Sequence, residues 1–437
     1  MKILIVNKFL HANGGSETYI FNIGKGFEEL GHQVQYFGME HPDRAVGNDW
    51  DCYTGSMDFR GAGGGDKAGS PAKGRMRKLI EQAGYPFRII YSREAYKKIT
   101  YVLEKFDPDA VHINNFNFQL TPSILYAVKN YRNKKKKKLP VIMTAHDSQL
   151  VCPNHLMVIP GSGEICFACE GGKFINCTKN RCIHNSRMKS ILASAEGYLY
   201  KWLKAYRYID LLVCPSDFLR EKLSTNPVLA QKAVTIHNFI QAADRQENVK
   251  KEDYVLYFGR YSEEKGIKTL LQICKSLPEI SFVFAGNGPF RDEILQTENI
   301  EDRGFLSGRE LYLAIARARF VLFPSICNEN CPFSVMEAQM YGTPVLGSRL
   351  GGIPELIQED VTGQLLTAGD ADAWTGAVKS LWEDEERLSR YTDNCRKVSF
   401  YTVAGYCDIL QSKIKKLMQE DCQYEQTDSL RDGNRNI

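Results

Sequence analysis

Short, uninterrupted apolar runs alternate with helical patterns twice along this chain, and this double series constrains the fold more than any other feature. Apolar runs without polar residues at every second position are typical of parallel strands that are covered on both faces. The same pattern begins again after a polar segment in the middle of the chain. The predicted strands are Lys2–Asn7, Val34–Gly38, Ala110–Ile113, Val141–Thr144, Asp210–Cys214, Val234–His237, Tyr254–Phe258, Ser281–Ala285, Phe320–Phe323 and Pro344–Gly347.

The double series predicts an α/β fold with two Rossmann-like domains, since a chain of 437 residues is too long for one ordinary domain. We place the first domain at 1–241 and the second at 254–398, followed by a final helix at 399–419 and a disordered tail at 420–437. Ala242–Asp253 is the predicted linker. The glycine-rich part of Asp49–Gly74 is predicted to be a mobile loop. The named helical patterns are Glu17–Leu30, Ile267–Leu277, Pro289–Leu295, Glu310–Ala318, Phe333–Tyr341 and Thr402–Met418.

Composition narrows the class of protein. With 43% hydrophobic and 25% charged residues, the chain has the composition of a soluble globular protein. The apolar run within Met1–Asn7 is too short for a signal peptide, and no stretch approaches the length of a membrane span. The thirteen cysteines are odd in number and mostly scattered, which favours a reducing compartment. We therefore predict a cytoplasmic protein. The alternative is a cytoplasmic protein that attaches to the membrane surface.

One basic run, Lys134–Lys138, contributes five positive charges to a chain whose formal net charge is only +4. The first interpretation is a solvated loop. The second is contact with an anionic membrane surface, to which each basic residue contributes about 1 kcal/mol. Nucleic-acid binding is not predicted, because no basic face with interleaved aromatic residues accompanies the run.

Two turns in the second half are suited to a diphosphate. Arg260 and Lys265 bracket a turn that leaves a strand and opens a helix, where cations are well placed for phosphate. Gly286, Asn287 and Gly288 form the next strand-to-helix turn, and glycines allow a close backbone approach to a ligand. For Arg260 and Lys265 the alternative is a solvated loop with two ordinary surface cations. For Gly286, Asn287 and Gly288 it is a plain turn without a ligand.

Two carboxylates, Glu329 and Glu337, stand with seven residues between them at a predicted junction of loop and helix. Pro332 suits the first turn of that helix. Backbone N–H groups at a helix start lack helical partners and can donate to a sugar hydroxyl or a phosphate oxygen. Capping of the helix start would explain one acid near that start but not the second. For Glu337 the alternative is an ordinary surface charge. The neighbouring candidates for nucleotide binding are Cys331, Phe333, Ser334 and Val335.

These motifs together resemble the retaining GT-B glycosyltransferases of family four. The resemblance covers nearly the whole chain except the glycine-rich loop and the tail, and the set is specific although each motif alone is weak. The matching residues are Arg260 with Lys265, Glu329 with Glu337, Gly342–Val345, Gly351–Glu355, Gly14–Glu17, Thr144–Asp147 and Ile236–Asn238.

The resemblance implies two Rossmann-like domains that face each other across a cleft, the first for the acceptor and the second for the donor, with the C-terminal helix crossing back to the first. It implies transfer, with retention, of a hexose-type sugar from a nucleotide-sugar donor, a UDP-sugar being favoured over GDP-mannose. The acceptor would be a saccharide or a lipid-linked molecule in polysaccharide or glycoconjugate biosynthesis. No catalytic metal or enzyme nucleophile is implied. The alternatives are a sugar-nucleotide epimerase, a phosphorylase-like enzyme and a non-catalytic sugar-nucleotide binding protein.

The resemblance also implies a role for individual residues. Arg260 and Lys265 would hold the donor diphosphate, where they stabilise the departing group as it gains charge. Glu329 would accept hydrogen bonds from donor-sugar hydroxyls. The remaining implied roles are ribose binding by Glu337, approach to the phosphate by Gly14 and Gly15, and a position near the transferred sugar and the acceptor for His146, whose alternative is a core histidine.

Four cysteines within the segment 152–185 predict a structural zinc site. Cys166 and Cys169 form a Cys-x2-Cys knuckle, and Cys177 and Cys182 follow within a stretch that has little apolar content. Such a site would order the segment and shape the acceptor side. Free thiols are the alternative, because the later spacings are irregular.

Two Asp-x-Asp pairs are a possible sign of a metal-dependent transferase. Asp107 and Asp109 flank a proline directly before a predicted strand, which is the pattern of a turn. Asp370 and Asp372 stand at a predicted helix start. We assign both pairs to local structure rather than to a metal.

Overall fold

The computed structural model describes residues 1–55, 90–241 and 249–419. Each of the ten predicted strands lies within about two residues of an observed strand, and the described residues form four further strands that the pattern did not predict. The observed strands are β1 (Lys2–Val6), β2 (Gln33–Phe37), β3 (Ala110–Ile113), β4 (Val141–Thr144), β5 (Leu211–Cys214), β6 (Ala233–Thr235), β7 (Phe239–Ile240), β8 (Val255–Arg260), β9 (Phe282–Asn287), β10 (Ile300–Asp302), β11 (Phe320–Phe323), β12 (Val345–Ser348), β13 (Gly363–Leu366) and β14 (Tyr401–Thr402).

Several helices begin at residues whose side chains satisfy a free backbone N–H group. Ser216 accepts from the N–H of Leu219 at 3.2 Å, and Asp370 accepts from that of Ala373 at 3.0 Å. The α-helices are Gly15–Glu29, Arg93–Phe106, Ser123–Lys135, Ile175–Lys179, Arg187–Trp202, Asp217–Ser224, Ile267–Ser276, Arg291–Leu295, Gly308–Arg317, Phe333–Met340, Ala371–Glu383, Glu385–Cys395 and Val403–Gln419. Short 3₁₀ turns occupy Glu170–Gly172, Ala205–Tyr208, Glu263–Lys265 and Ile353–Glu355.

Within the described residues the strands form two six-stranded sheets and one two-stranded pair. The first sheet has the order β2-β1-β3-β4-β5-β6, and the second has the order β10-β9-β8-β11-β12-β13. Neighbouring strands pair in parallel wherever the described residues give their register, and an isolated antiparallel bridge joins Val158 to Ile165. The second order is that of a doubly wound Rossmann sheet, in which the order of the strands reverses between β8 and β11. The predicted α/β fold with two Rossmann-like sheets is confirmed.

Both faces of the second sheet are covered, as uninterrupted apolar strands require. Val255 and Tyr257 of β8 belong to one buried cluster, which includes the fully buried Trp374. Leu256 and Phe258, which alternate with them along the strand, belong to a second cluster. Because side chains alternate between the faces of a strand, these two clusters form the two cores.

The chain divides into two compact units. The first comprises the described parts of Met1–Met143, Arg207–Leu211 and Ala404–Ile437, and the second comprises those of Thr144–Tyr206 and Leu212–Val403. The domain limits predicted from the sequence stay predictions.

The last helix, Val403–Gln419, packs with the first helix of the chain inside the first unit. The hydroxyl of Tyr19 donates to that of Tyr406 at 3.1 Å, and both rings are fully buried. The thiol of Cys407 donates to the carbonyl oxygen of Ile23 at 3.6 Å. The predicted return of the C-terminal helix to the first Rossmann-like domain is thereby confirmed.

Three predictions fall wholly or partly outside the described residues. They concern the glycine-rich loop within Asp49–Gly74, the first part of the linker Ala242–Asp253 and the tail from 420 to 437. In the described part of the chain, no helix is both long enough and apolar enough to span a bilayer.

Candidate functional site

The reversal of strand order between β8 and β11 marks the place where a parallel α/β sheet binds ligands, at the carboxyl ends of its strands. Strand β8 ends at Arg260, the turn after it contains Lys265, and the loop after β11 leads to Glu329. The topology therefore brings three of the predicted residues to this edge of the second sheet.

Arg260 is the last residue of β8 and pairs in register with Asn287, the last residue of β9. The hydroxyl of Tyr257 donates to the carbonyl oxygen of Arg260 at 2.7 Å, which fixes the turn. The Arg260 side chain is exposed and makes no hydrogen bond or ion pair with the residues that the structure describes. Its guanidinium is available to an anionic ligand.

Lys265 and Glu329 form an ion pair between the loops after β8 and β11. Lys265 Nζ lies 2.5 Å from Glu329 Oε1, and the hydroxyl of Ser325 donates to the same oxygen at 2.9 Å. Burial lowers the pKa of Lys265, but the charge and hydrogen bond of Glu329 outweigh it and raise that pKa above its usual value. The ammonium group therefore stays charged at neutral pH.

Gly286 lets β8 and β9 approach each other at their carboxyl ends. A Cβ atom at this position would lie 1.9 Å from the carbonyl oxygen of Gly259. In the next turn, Asn287 Oδ1 accepts from the N–H of Gly288 at 2.8 Å. This packing is one reason for glycine at 286, and ligand binding by these three residues stays a prediction.

A second close approach holds the backbone around Glu329. Gly351 has a φ of +58°, and a Cβ atom there would lie 2.2 Å from the carbonyl oxygen of Glu329. The N–H of Gly352 donates to that same oxygen at 2.7 Å. The Gly351–Gly352 turn therefore fixes the backbone of Glu329, and its closeness to that backbone requires glycine.

The helix Phe333–Met340 begins four residues after Glu329, with Pro332 as the N-cap residue directly before it. The carbonyl oxygen of the buried Cys331 accepts from Asn238 Nδ2 at 3.0 Å, which anchors the residue before the proline. The backbone N–H groups without an acceptor among the described residues are those of Cys331, Phe333, Ser334 and Val335. They are available to a ligand, as expected at a helix start.

Glu337 lies in the second turn of the same helix and is half-buried. Burial raises the pKa of its carboxyl to about 7. No hydrogen bond from a described residue compensates for this burial. A buried carboxylate without a partner is costly, so this residue is not an ordinary surface glutamate.

His146 follows β4 and is half-buried. Its carbonyl oxygen accepts from Asn330 Nδ2 at 2.7 Å. Asn330, the residue after Glu329, therefore contacts the histidine that was predicted to lie near the transferred sugar and the acceptor. The preceding Ala145 is fully buried, whereas His146 is at the edge of the core. Asn330 was not among the predicted site residues. In the sequence, only its position directly after Glu329 could have indicated that it belongs to this site.

Gly14 and Gly15 stand at the start of the helix Gly15–Glu29 in the first unit. The backbone of Gly14 is extended, and a Cβ atom there would make only an ordinary contact with Glu17, so this conformation does not require glycine. Glu17 is buried and accepts from Asn7 Nδ2 at 3.0 Å and from the hydroxyl of Ser16 at 2.8 Å. The role of the two glycines toward a phosphate stays a prediction.

Glu355 makes a set of contacts that sequence reasoning missed. Its two carboxylate oxygens accept from the N–H groups of Asp217 and Phe218 at 2.7 and 2.8 Å, at the start of the helix Asp217–Ser224. His237 Nε2 lies 3.0 Å from Glu355 Oε2. The hydrogen bond to Glu355 raises the pKa of His237. The motif Gly351–Glu355 was recognised in the sequence, but its partners lie more than a hundred residues away.

The predicted zinc site is not supported. The four cysteines line one small cavity together with Cys152, but no group of three or more His, Cys, Asp or Glu residues in the described ranges is arranged to hold a metal ion. The thiols have different partners: those of Cys177 and Cys182 hydrogen-bond to each other, whereas Asn180 Nδ2 donates to Cys166 Sγ at 3.7 Å. The fourth predicted ligand is Cys169, which packs in a small apolar cluster with Cys177 and Cys182.

The two Asp-x-Asp pairs have structural roles in the described residues. Asp107 ends the helix Arg93–Phe106 and accepts from the hydroxyl of Tyr131 at 2.5 Å. Asp109 accepts from the backbone N–H of Lys2 at 2.8 Å. Asp370 caps the helix Ala371–Glu383, as predicted.

Two family profiles together match most of the chain. The one described as Glycosyltransferase Family 4 matches residues 13–244, and the one described as Glycosyl transferases group 1 matches residues 239–398. The boundary between the two matches lies close to the predicted linker.

Relatives match over shorter stretches. Sulfoquinovosyl transferase SQD2 of Arabidopsis thaliana is 33% identical over 138 residues, which are 30% of this chain and 27% of that protein. O-antigen chain mannosyltransferase C of Escherichia coli is 25% identical over 169 residues, which are 37% of this chain and 45% of that protein. The chain therefore spans less than half the length of each of these two relatives.

Solved structures match over nearly the whole chain. HepE of Anabaena, in complex with UDP, has a TM-score of 0.61 at 16% identity and covers 95% of this chain and 100% of its own. Sucrose-phosphate synthase from Thermosynechococcus elongatus has a TM-score of 0.61 at 14% identity and covers 95% of this chain and 98% of its own. At this low identity the likeness shows the fold, which is GT-B.

Proposed function

The chain belongs to glycosyltransferase family 4, and on that premise we propose that it transfers a hexose-type sugar from a nucleotide-sugar donor to a saccharide or lipid-linked acceptor. The product would belong to polysaccharide or glycoconjugate biosynthesis, the role that the related O-antigen chain mannosyltransferase has by its name. We propose a UDP-sugar as donor, because the similar HepE binds UDP, and keep GDP-mannose as the second option.

The observation that carries this proposal is the ion pair of Lys265 and Glu329 at the reversal of strand order between β8 and β11. An ammonium group at this edge suits the diphosphate of a donor, and a carboxylate beside it suits sugar hydroxyls. Both side chains are partly exposed, so a ligand can reach them. Donor binding would replace the direct ion pair by contacts to the diphosphate and the sugar.

The chemistry requires charge stabilisation more than a nucleophile. As the sugar leaves, the nucleoside diphosphate gains negative charge, which Arg260 and Lys265 would bind more tightly than the ground state. The N–H groups of Phe333 and Ser334 would add donors at a helix start. In the proposed reaction the leaving phosphate takes the proton of the acceptor hydroxyl on the same face, so the anomeric configuration is retained and no metal ion takes part.

Glu337 would bind the ribose of the donor. Two ribose hydroxyls can donate to the two oxygens of one carboxylate, which would replace the water lost by burial. Glu329 and Glu337 would thus contact the two ends of the donor, with the diphosphate between them. His146, whose backbone Asn330 contacts, would lie near the transferred sugar and the acceptor.

The location of the protein also stays a proposal. We propose a cytoplasmic enzyme, and we add as a separate proposal that Lys134–Lys138 contacts an anionic membrane surface. Lys134 pairs with Glu104 at 2.6 Å, and Lys137 lies 3.2 Å from Asp107. These acids offset part of the positive charge of the run.

Donor hydrolysis in the absence of acceptor tests the proposed reaction. The full chain is incubated with UDP-glucose, UDP-galactose, UDP-N-acetylglucosamine and GDP-mannose, and the released nucleoside diphosphate is measured. We expect slow release from one donor, with the anomer first formed, observed by proton NMR, matching that of the donor. Lys265→Met should reduce the rate at least about tenfold, because it removes a charge-assisted hydrogen bond worth about 1.5–3 kcal/mol.

Lys268→Met is the matched control, because Lys268 pairs with Glu263 at 2.7 Å on the exposed side of the neighbouring helix. It should turn over like the wild type. Tight donor binding without any hydrolysis would favour the non-catalytic alternative, and a second sugar nucleotide as the product would favour the epimerase. Equal rates for the two variants would contradict the role of Lys265.

A further inference from the structure

The helix Arg187–Trp202 presents its large apolar side chains to solvent. Met188 and Trp202 are 76% and 78% exposed, and Ile191 and Tyr198 are exposed as well. Spacings of three, seven and four residues place these four side chains on one side of the helix. We call this set the apolar stripe. A surface helix usually buries such a stripe, so an exposed one marks an interaction surface.

The opposite side of this helix carries small and polar residues, and the protein buries that side. Gly197 lies against the ring of Phe174, since a Cβ atom there would come within 2.8 Å of it. These contacts fix the rotation of the helix about its axis, so the apolar stripe cannot turn inward without breaking them. The buried residues of this side are Ser190, Ala193, Ser194 and Tyr200.

Two neighbouring residues extend the apolar stripe. Ile175 is exposed, and its backbone N–H donates to the hydroxyl of Tyr198 at 3.1 Å, which places it beside the stripe. Leu203 follows Trp202 directly and is also exposed. The apolar surface is therefore a contiguous patch rather than four scattered side chains.

Cations are concentrated in the same stretch of the chain as this patch. From 173 to 206 the sequence contains seven Lys or Arg residues and one acid, Glu196. All seven cations are exposed, and none has a carboxylate partner in the described part of the chain. Burial raises the pKa of Glu196 to about 8, so its carboxyl is mainly protonated at pH 7 and offsets little charge. The cations on or next to the helix are Arg187, Lys189, Lys201 and Lys204.

We propose that the apolar stripe and the exposed cations of the same segment form a docking surface for an anionic lipid bilayer. Apolar and aromatic side chains on one helix face, with Lys and Arg beside them, match the boundary between acyl chains and anionic headgroups. A second copy of the chain fits less well, because a symmetric contact would bring seven cations against seven. This inference does not rest on the proposed transferase activity.

Vesicle sedimentation of the full chain tests the docking surface. We expect binding to vesicles of equal parts phosphatidylcholine and phosphatidylglycerol, and at least about tenfold weaker binding to pure phosphatidylcholine, since each cation near the surface contributes about fivefold. The double variant Met188→Ser/Trp202→Ser should bind the anionic vesicles at least about tenfold more weakly. The matched control is Phe305→Ser, which removes an 80% exposed aromatic residue elsewhere and should bind like the wild type.

Two further measurements distinguish the occupants of the surface. Anionic vesicles should shift the tryptophan emission of the wild type to shorter wavelength, and Trp202→Phe should remove that shift. Equal vesicle binding by the wild type and a double variant that melts at the same temperature would overturn the proposal. So would the absence of any binding to anionic vesicles. A concentration-dependent dimer that the double variant abolishes, without vesicle binding, would assign the surface to a second copy instead.

Discussion

Glu337→Gln should make the protein more stable and, at the same time, worse at binding its donor. Burial raises the pKa of this carboxyl from about 4.5 to about 7, a difference that corresponds to about 3 kcal/mol. The folded state therefore binds this proton more tightly than the unfolded state, and stability falls as the pH rises from about 4.5 to about 7. The amide has nearly the same shape and no charge to bury, so the variant escapes this loss.

Differential scanning calorimetry at pH 5 and pH 8 measures the effect. At pH 8 the melting temperature of Glu337→Gln should exceed that of the wild type by at least about 3 °C, and the difference should shrink toward pH 5. Glu383→Gln, which changes an exposed glutamate at the end of the helix Ala371–Glu383, is the control and should leave the pH dependence unchanged.

The same samples test the role toward ribose. Saturating UDP at pH 8 should raise the melting temperature of the wild type more than that of the Glu337→Gln variant, because an amide cannot accept two ribose hydroxyls as a carboxylate does. If the two proteins showed the same pH dependence and the same response to UDP, both the burial argument and the ribose assignment would be wrong.

Three further predictions concern stability and the loops around the site. Gly351→Ala should lower the melting temperature and donor turnover, because its methyl would lie 2.2 Å from a backbone oxygen. Gly376→Ala, at an exposed position inside the helix Ala371–Glu383, meets nothing within 4 Å, so it should leave turnover unchanged and raise the melting temperature slightly. Leu410→Ala should destabilise the first unit by about 2–5 kcal/mol in denaturant unfolding, and a smaller loss would contradict burial of the last helix. The contribution of His237 to stability is complete below its usual pKa of 6.5 and is lost as the pH rises through its raised pKa. The difference in melting temperature between the wild type and His237→Asn should therefore shrink between pH 6 and pH 9, and a constant difference would exclude a charged pair with Glu355.

The sheets could be predicted because their strands are short apolar runs between polar or glycine-rich turns. The predicted Phe320–Phe323 and Ala110–Ile113 agree with β11 and β3 at both ends. By contrast, β10 and β13 were missed: the three residues Ile300–Asp302 include two acids, and Gly363–Leu366 begins with glycine and a polar residue. Edge strands with so little apolar sequence form through pairing with a neighbour, which a single sequence does not display.

The site was predictable only where its residues are close in sequence or belong to a recognisable motif. Glu329 and Lys265 were predicted as site residues from such motifs, and the structure shows that they form an ion pair, whereas their roles toward the donor stay predictions. The contact of Asn330 with the backbone of His146 joins positions 184 residues apart, and no local pattern marks it. Long-range hydrogen bonds of this kind depend on how the loops pack, which motif spacing does not determine.

The zinc prediction found no support among the described residues. Cysteine spacing predicted a shared metal, but spacing does not tell where each thiol points. The buried Cys177 thiol hydrogen-bonds to Cys182, whereas Cys152 Sγ donates to Asn154 Oδ1 at 2.9 Å. The exposure of the apolar stripe on the helix Arg187–Trp202 could not be predicted either. Periodicity identifies an apolar stripe, but it does not show whether the stripe faces the core or the solvent.

Titration calorimetry of UDP tests the central claim most directly, namely that Lys265 at the reversal of strand order in the second sheet binds the diphosphate of the donor. The wild type and Lys268→Met should bind UDP with the same affinity, and Lys265→Met should bind it at least about tenfold more weakly. Equal UDP affinity in Lys265→Met and Lys268→Met, or no binding of UDP or GDP to the wild type, would contradict the account.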